Sequence, residues 1–177
     1  MNIALIGYRA AGKSTLGQLL AQRLGWPCLD IDRGIEERSG KPVKVLFEEG
    51  DQIYRDVESA VVASMCQRDQ RVIAFGAGSL MRPQNRTWAC RNSMVFYLEL
   101  PASLLWDRIR ADPASAETRP NLSSGGLPEV EEMLEQRAPA YLECADHVLD
   151  ARRSPEQLAA QVLTIWEQRT DEAALRH

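Results

Sequence analysis

Short apolar runs alternate along this chain with stretches whose apolar residues recur at helical spacing. Asn2–Ile6 (NIALI) reads as a buried strand. The segment Ser14–Leu24 follows with Leu16, Leu19, Leu20 and Leu24 on one helical face, and Gly25 stops it. Cys28-Leu29-Asp30 is a short second strand. Arg33–Ser39 and Val43–Phe47 read as short helices split by Gly40 and Pro42, and Asp51 is placed to cap a longer helix to about Cys66. Val72–Phe75 and Met94–Leu98 are apolar enough to be strands covered on both faces.

Ala102–Arg110 is helical in pattern. Residues 111–127, with Pro113, Pro120 and Gly125-Gly126, read as a long loop. Glu129–Cys144 reads as a helix interrupted near Pro139, and His147–Leu149 as a last short strand. Ser154-Pro155-Glu156-Gln157 is a capping box with proline in the first turn, opening a helix to about Arg169 and leaving Thr170–His177 as a frayed tail. Such alternation predicts α/β architecture: a three-layer α/β/α sandwich around a central five-stranded parallel sheet, in one domain spanning residues 1–177. Ligands of such sheets bind beyond the carboxyl ends of the strands.

Composition narrows the class. With 45% apolar and 26% charged residues the chain suits a soluble enzyme. A net charge of −4 argues against a nucleic-acid partner while leaving room for a local arginine cluster. The run Ile3–Ile6 is too short for a membrane span or a signal sequence, so no membrane association is expected. Cys28, Cys66, Cys90 and Cys144 lack metal-ligand spacing and read as reduced, mostly buried thiols of a cytoplasmic protein. His147 and His177 have no partner motif.

The strongest chemical signal is Gly7-Tyr8-Arg9-Ala10-Ala11-Gly12-Lys13-Ser14, a complete Walker A pattern after a strand and opening a helix. Gly7 and Gly12 let the backbone curl so that N–H groups of Ala10, Ala11, Gly12, Lys13, Ser14 and Thr15 converge on phosphate oxygens at a helix N-terminus. Lys13 can reach the β- and γ-phosphates, and the Ser14 hydroxyl can ligate Mg²⁺. The fold is therefore expected to be of P-loop NTPase type, with ATP and Mg²⁺ as cofactors. No Asn-Lys-x-Asp guanine-reading motif is present.

Asp30 and Asp32 follow the second strand and lie on the same side of extended chain. One can hold Mg²⁺ while the other deprotonates an acceptor hydroxyl. A solvated loop with Asp32 as helix cap fits their position equally well.

Beyond these motifs the chain resembles the shikimate kinase family. The resemblance rests on Leu29-Asp30-Ile31-Asp32, Ile35-Glu36, Gly40, Phe47, Gly50, Tyr54-Arg55 and Glu58, then Gly76-Ala77-Gly78, Tyr97-Leu98, Arg119-Pro120 and Gln136-Arg137-Ala138-Pro139 with Tyr141. It covers about residues 2–165. It implies transfer of the ATP γ-phosphoryl group to the 3-hydroxyl of shikimate by a monomer. Asp32 would be base and substrate ligand, Asp30 would act near the metal, and Arg55 and Arg137 would clamp the substrate carboxylate. Ala77 and Gly78 would contribute to substrate binding. Residues 31–60 would form the substrate-binding region, with Phe47 and Tyr54 as pocket walls and Glu58 holding Arg55; a core role fits Phe47 equally well. Residues 111–127 would be a lid bringing the catalytic Arg119 over the ATP phosphates, and Arg108 and Arg153 would pack against adenine.

Two departures stand out. The family carries three consecutive glycines where this chain has Gly76-Ala77-Gly78. Alanine keeps the N–H donor but adds a methyl and disfavours positive φ, which leaves open an unchanged site, weaker shikimate binding or a related substrate. The lid is a few residues longer, and Asn121 separates Arg119-Pro120 from Leu122. The competing readings are another small-metabolite kinase of this fold, such as a gluconate kinase, and a nucleotide-binding regulatory module without catalysis.

Overall fold

A computed structural model describes residues 1–112 and 125–174. Arg119, most of the segment 111–127 and the last three residues lie outside it. Five strands form one sheet in the order β2-β3-β1-β4-β5: β1 (Asn2–Ile6), β2 (Cys28–Asp30), β3 (Val72–Ala74), β4 (Ser93–Glu99) and β5 (His147–Asp150). Every pairing is parallel, with Ile3 opposite both Val72 and Met94.

Strand alternation divides the core. Ile3 and Leu5 point to one face, under α1 (Lys13–Leu24) and the C-terminal helix; Ala4 and Ile6 point to the other. That second face is covered by α2 (Ile31–Ser39), α3 (Val43–Glu49), α4 (Asp51–Cys66) and α5 (Pro83–Arg91). The helices α6 (Ala102–Ala111), α7 (Gly126–Cys144) and α8 (Pro155–Ala174) complete the described chain. Helices on both faces of an all-parallel sheet make the three layers expected from the sequence.

Several local expectations need correction. Helix α2 starts two residues early, because Asp30 rather than Asp32 caps it: Asp30 Oδ1 accepts the N–H groups of Asp32 (3.0 Å) and Arg33 (3.3 Å). Asp51 is not a cap; Gly50, at φ 143°, takes that position and Asp51 lies in the first turn, where a carboxylate suits the helix dipole. Helix α7 runs unbroken past Pro139 and begins at Gly126. The carbonyl that Pro139 leaves without a donor belongs to Glu135, and both residues are exposed, so water can serve it. The tail continues α8 to Ala174, with Thr170 Oγ1 bonded back to Trp166 and Glu167 carbonyls. Helix α5 and the short 3₁₀ turn Ser79–Met81 carried no sequence expectation. The Ser154–Gln157 capping box forms in both directions, at 3.2 and 3.0 Å.

All four cysteines are free. Cys66 and Cys144 are buried, and burial pushes both thiols up to about 12; Cys28 is half-buried and Cys90 is exposed, so the expectation of buried thiols holds for two. Among the described residues no helix is long and apolar enough to cross a membrane.

Candidate active site

The loop between β1 and α1 is shaped by backbone. Gly7 has φ 139°, and a Cβ there would stand 2.8 Å from the Leu98 carbonyl oxygen, so only glycine fits against β4. Ala10 is left-handed at φ 62°, a conformation that costs alanine roughly 1 kcal/mol. Lys13 is buried, and its ammonium donates to the carbonyls of Gly7 (3.0 Å) and Tyr8 (2.7 Å). Arg108, from α6, lays its guanidinium on the same loop, donating to Ala10 O (3.3 Å) and to Ala151 O beyond β5 (2.9 Å). Arg153 stays exposed and donates to Gln161 at 3.2 Å.

Beside the loop a polar cleft is lined by Ser14, Gln18, Cys28, Asp30 and Asp32. The Ser14 hydroxyl donates to Asp30 Oδ2 at 3.0 Å. Asp30 thus joins the start of α1 to the start of α2, one oxygen on each. Two hard oxygen ligands at the mouth of a phosphate loop suit Mg²⁺, which commonly takes one or two protein oxygens and completes its shell with phosphate and water. No group of three or more His, Cys, Asp or Glu side chains placed to hold a metal occurs among the described residues.

A second cavity lies on the other side of Asp32. Arg55, Ala77, Gly78 and Arg137, four residues singled out from the sequence, line it together with Asp32 itself. Phe47 and Tyr54 form its aromatic wall, stacked at 4.0 Å between ring centres, with the Arg55 guanidinium 5.0 Å from the Tyr54 ring. Asp32 borders both cavities.

This wall is held by Glu58, a fully buried carboxylate. It accepts from Arg55 Nη1 (2.9 Å), Ser79 Oγ (2.8 Å) and Tyr54 Oη (3.2 Å). Burial alone disfavours the Arg55 charge, but Glu58, with help from Tyr54 and Asp51, outweighs it and raises the guanidinium pKa. Burial, reinforced by Glu58, pushes the Tyr54 phenol up, so it stays a neutral donor.

The glycines of the β3 turn are spaced for contact. A Cβ on Gly76 would come 2.7 Å from Asp32 Oδ1, and one on Gly78 would come 3.0 Å from Arg55 Nη1. Ala77, between them, is not among the residues with positive φ, so its methyl carries no backbone strain. Its carbonyl accepts a 2.5 Å hydrogen bond from the buried Tyr141 hydroxyl. Arg137 lies over the Tyr8 ring at 5.6 Å and has no carboxylate partner among the described residues.

Sequence reasoning missed Tyr8, Arg9, Val43 and Glu129, which also line the acceptor cavity, and Ser79 behind it. Arg9 stood inside a motif whose variable positions carry no side-chain requirement, and nothing local connects it to Glu129.

The strand order, the loop between β1 and α1 and the paired cavities define a small P-loop kinase. The comparisons with known proteins narrow this. The sequence profile described as Shikimate kinase matches residues 9–167. The chain is 36% identical over 172 residues to a shikimate kinase of Salinibacter ruber, covering 93% of this chain and 84% of that one. It is 34% identical over 165 residues to one from Oleidesulfovibrio alaskensis, covering 92% and 95%. The structure of shikimate kinase from Acinetobacter baumannii in complex with shikimate superposes with a TM-score of 0.87 at 30% identity, covering 95% and 93%. The chain belongs to the shikimate kinase family.

Proposed function

We propose that this chain transfers the γ-phosphoryl group of ATP to the 3-hydroxyl of shikimate, giving shikimate 3-phosphate and ADP. The observation that carries the reading is the position of Asp32, one carboxylate shared between a polar cleft at the phosphate loop and a cavity walled by guanidinium groups. A base there reaches the acceptor hydroxyl on one side and faces the transferring phosphoryl group on the other. As the new O–P bond forms, Asp32 takes the hydroxyl proton while the bond to the ADP leaving oxygen breaks.

Arg55 and Arg137 bind the substrate carboxylate through paired hydrogen bonds that fix the ring's orientation. Lys13 exchanges its loop carbonyls for phosphate oxygens, and Ser14 and Asp30 are the residues to hold Mg²⁺. That ion supplies charge neutralisation on the phosphates when bound. Arg108, which donates to the loop carbonyl of Ala10, is assigned to pack on the nucleotide. Arg119 and Arg153 are assigned to the phosphates and the adenine side by family resemblance alone. The unstrained backbone of Ala77 favours an intact acceptor site over a module that has lost catalysis.

A steady-state assay with ATP, Mg²⁺ and either shikimate or gluconate, following ADP release, tests the reading. ADP release with shikimate and none with gluconate is the expected result. Turnover of gluconate alone, or shikimate binding by calorimetry without ADP release, overturns it.

A further inference from the structure

The two arginines offered to the substrate carboxylate are held in different ways. Arg55 is fixed by carboxylates, with Glu58 at 2.9 Å and Asp51 at 3.6 Å. Arg137 has no carboxylate partner among the described residues, and its Nη2 meets the thioether of Met133, a weak acceptor, at 3.9 Å. The Tyr141 hydroxyl stands beside it but is committed to the Ala77 carbonyl; burial pushes that phenol up, and the Arg137 charge opposes the rise. What Arg137 does have is a ring: its guanidinium carbon lies 5.6 Å from the centre of Tyr8. Arg9 reaches the same ring at 6.0 Å, from within its ion pair with Glu129.

Tyr8 is a firm base for such a contact. It is 3% exposed and belongs to the buried cluster that includes Leu98 and, from α7, Val130. Its backbone is part of the phosphate loop, where its carbonyl accepts from the Lys13 ammonium at 2.7 Å. Its side chain is part of the acceptor wall. An aromatic contact restrains a guanidinium without supplying an acceptor oxygen, so the N–H groups stay available to a carboxylate. A loose arginine side chain has many rotamers to lose when it binds, and a ring that already narrows them lowers that cost.

We infer that Tyr8 is a positioning residue for acceptor binding: its ring holds the Arg137 guanidinium in the cavity, ready for the substrate carboxylate, as Glu58 holds Arg55. The inference rests on the functional reading above, in which Arg137 binds the carboxylate of shikimate.

The test is a double-mutant cycle on steady-state turnover, read as kcat/KM for shikimate and KM for ATP. Tyr8→Leu is expected to lower kcat/KM for shikimate roughly 3- to 10-fold, the factor by which a loosened Arg137 leaves its competent rotamer, and to leave the ATP KM within about twofold. Tyr8→Phe, which keeps the ring, is expected to recover most of that loss. In an Arg137→Ala background, Tyr8→Leu is expected to change kcat/KM by less than about twofold, because no guanidinium is left to position. Where Tyr8→Leu does not fold, Tyr8→Met, unbranched and adaptable, completes the same cycle. An equal loss with and without Arg137 would make Tyr8 a plain wall of the cavity. Equal losses for ATP and shikimate would make it a prop of the loop around Lys13. No loss with Tyr8→Leu, or no recovery with Tyr8→Phe, would take the ring contact out of acceptor binding. Each of these overturns the inference while wild-type shikimate turnover stays intact. A wild type that does not turn over shikimate takes down the functional reading and this inference with it.

Discussion

The two halves of the site are built in opposite ways. The phosphate loop is held by backbone: positive φ at Gly7, Ala10 and Gly12, an ammonium on two loop carbonyls, and Arg108 on a third. The acceptor wall is held by side chains from separate segments. Glu58 collects three donors, Asp32 and Arg55 close on two glycines, and Tyr141 reaches across to Ala77. A loop shaped by its own backbone tolerates side-chain change at its variable positions. A wall made of paired side chains does not, because removing one partner strands another in a buried setting.

The largest effect is expected at Asp32, the carboxylate common to both halves. Asp32→Ala lowers kcat by about 10³-fold or more, the scale of a lost general base, while the ATP dissociation constant moves by less than about threefold. Equal loss of nucleotide binding, measured by titration, would show Asp32 to be a structural link rather than the base.

Next comes Glu58→Ala, which leaves Arg55 and two hydroxyls without their shared acceptor. It is expected to cost about 3 kcal/mol, lowering Tm by roughly 6–12 °C. A Tm within about 2 °C of wild type would mean that the wall is not held by this carboxylate.

The β3 turn gives an internal contrast. Gly76→Ala pushes a methyl onto Asp32 Oδ1 and onto the buried Ser79 Oγ, 2.9 Å away, and is expected to lower kcat roughly 10- to 100-fold. Ala77→Gly, one residue on, is expected to leave kcat/KM within about threefold, since its φ is already ordinary and its N–H is kept. If the two substitutions behave alike, the spacing argument fails.

The smallest effect belongs to the loop. Ala10→Gly removes left-handed strain and is expected to stabilise the protein by about 0.5–1 kcal/mol, raising Tm by roughly 1–4 °C without changing the ATP KM. A fall in Tm would show that the loop's conformation is not limited by this residue.

The same contrast explains what the sequence disclosed. The phosphate loop is a short-range requirement, so eight consecutive residues announce it. The strands announce themselves because a sheet buried on both faces needs unbroken apolar runs. The Asp30–Asp32 pair was legible as a pair but not in its division of labour, since either carboxylate could cap α2 and only the hydrogen bonds to Asp32 and Arg33 decide. Arg55 and Arg137 were reached through family resemblance; an isolated arginine carries no sign that it faces a cavity. Arg9 with Glu129, and Ser79 with Glu58, were not legible, because each contact joins segments that only the fold brings together. Helix α5 escaped because its composition, with three arginines or glutamines and few apolar residues, shows no helical stripe.

The strand order has a consequence for how such an enzyme can be re-engineered. Of the eleven residues lining the acceptor cavity, seven fall between Asp32 and Gly78, on the segments that leave β2 and β3 at one end of the sheet. A contiguous graft of residues 28–80 from a relative with a different acceptor would carry most of the recognition surface in one piece. Tyr8, Arg9, Glu129 and Arg137 would remain as the host's contribution, and those four positions decide whether such a chimera accepts its new molecule.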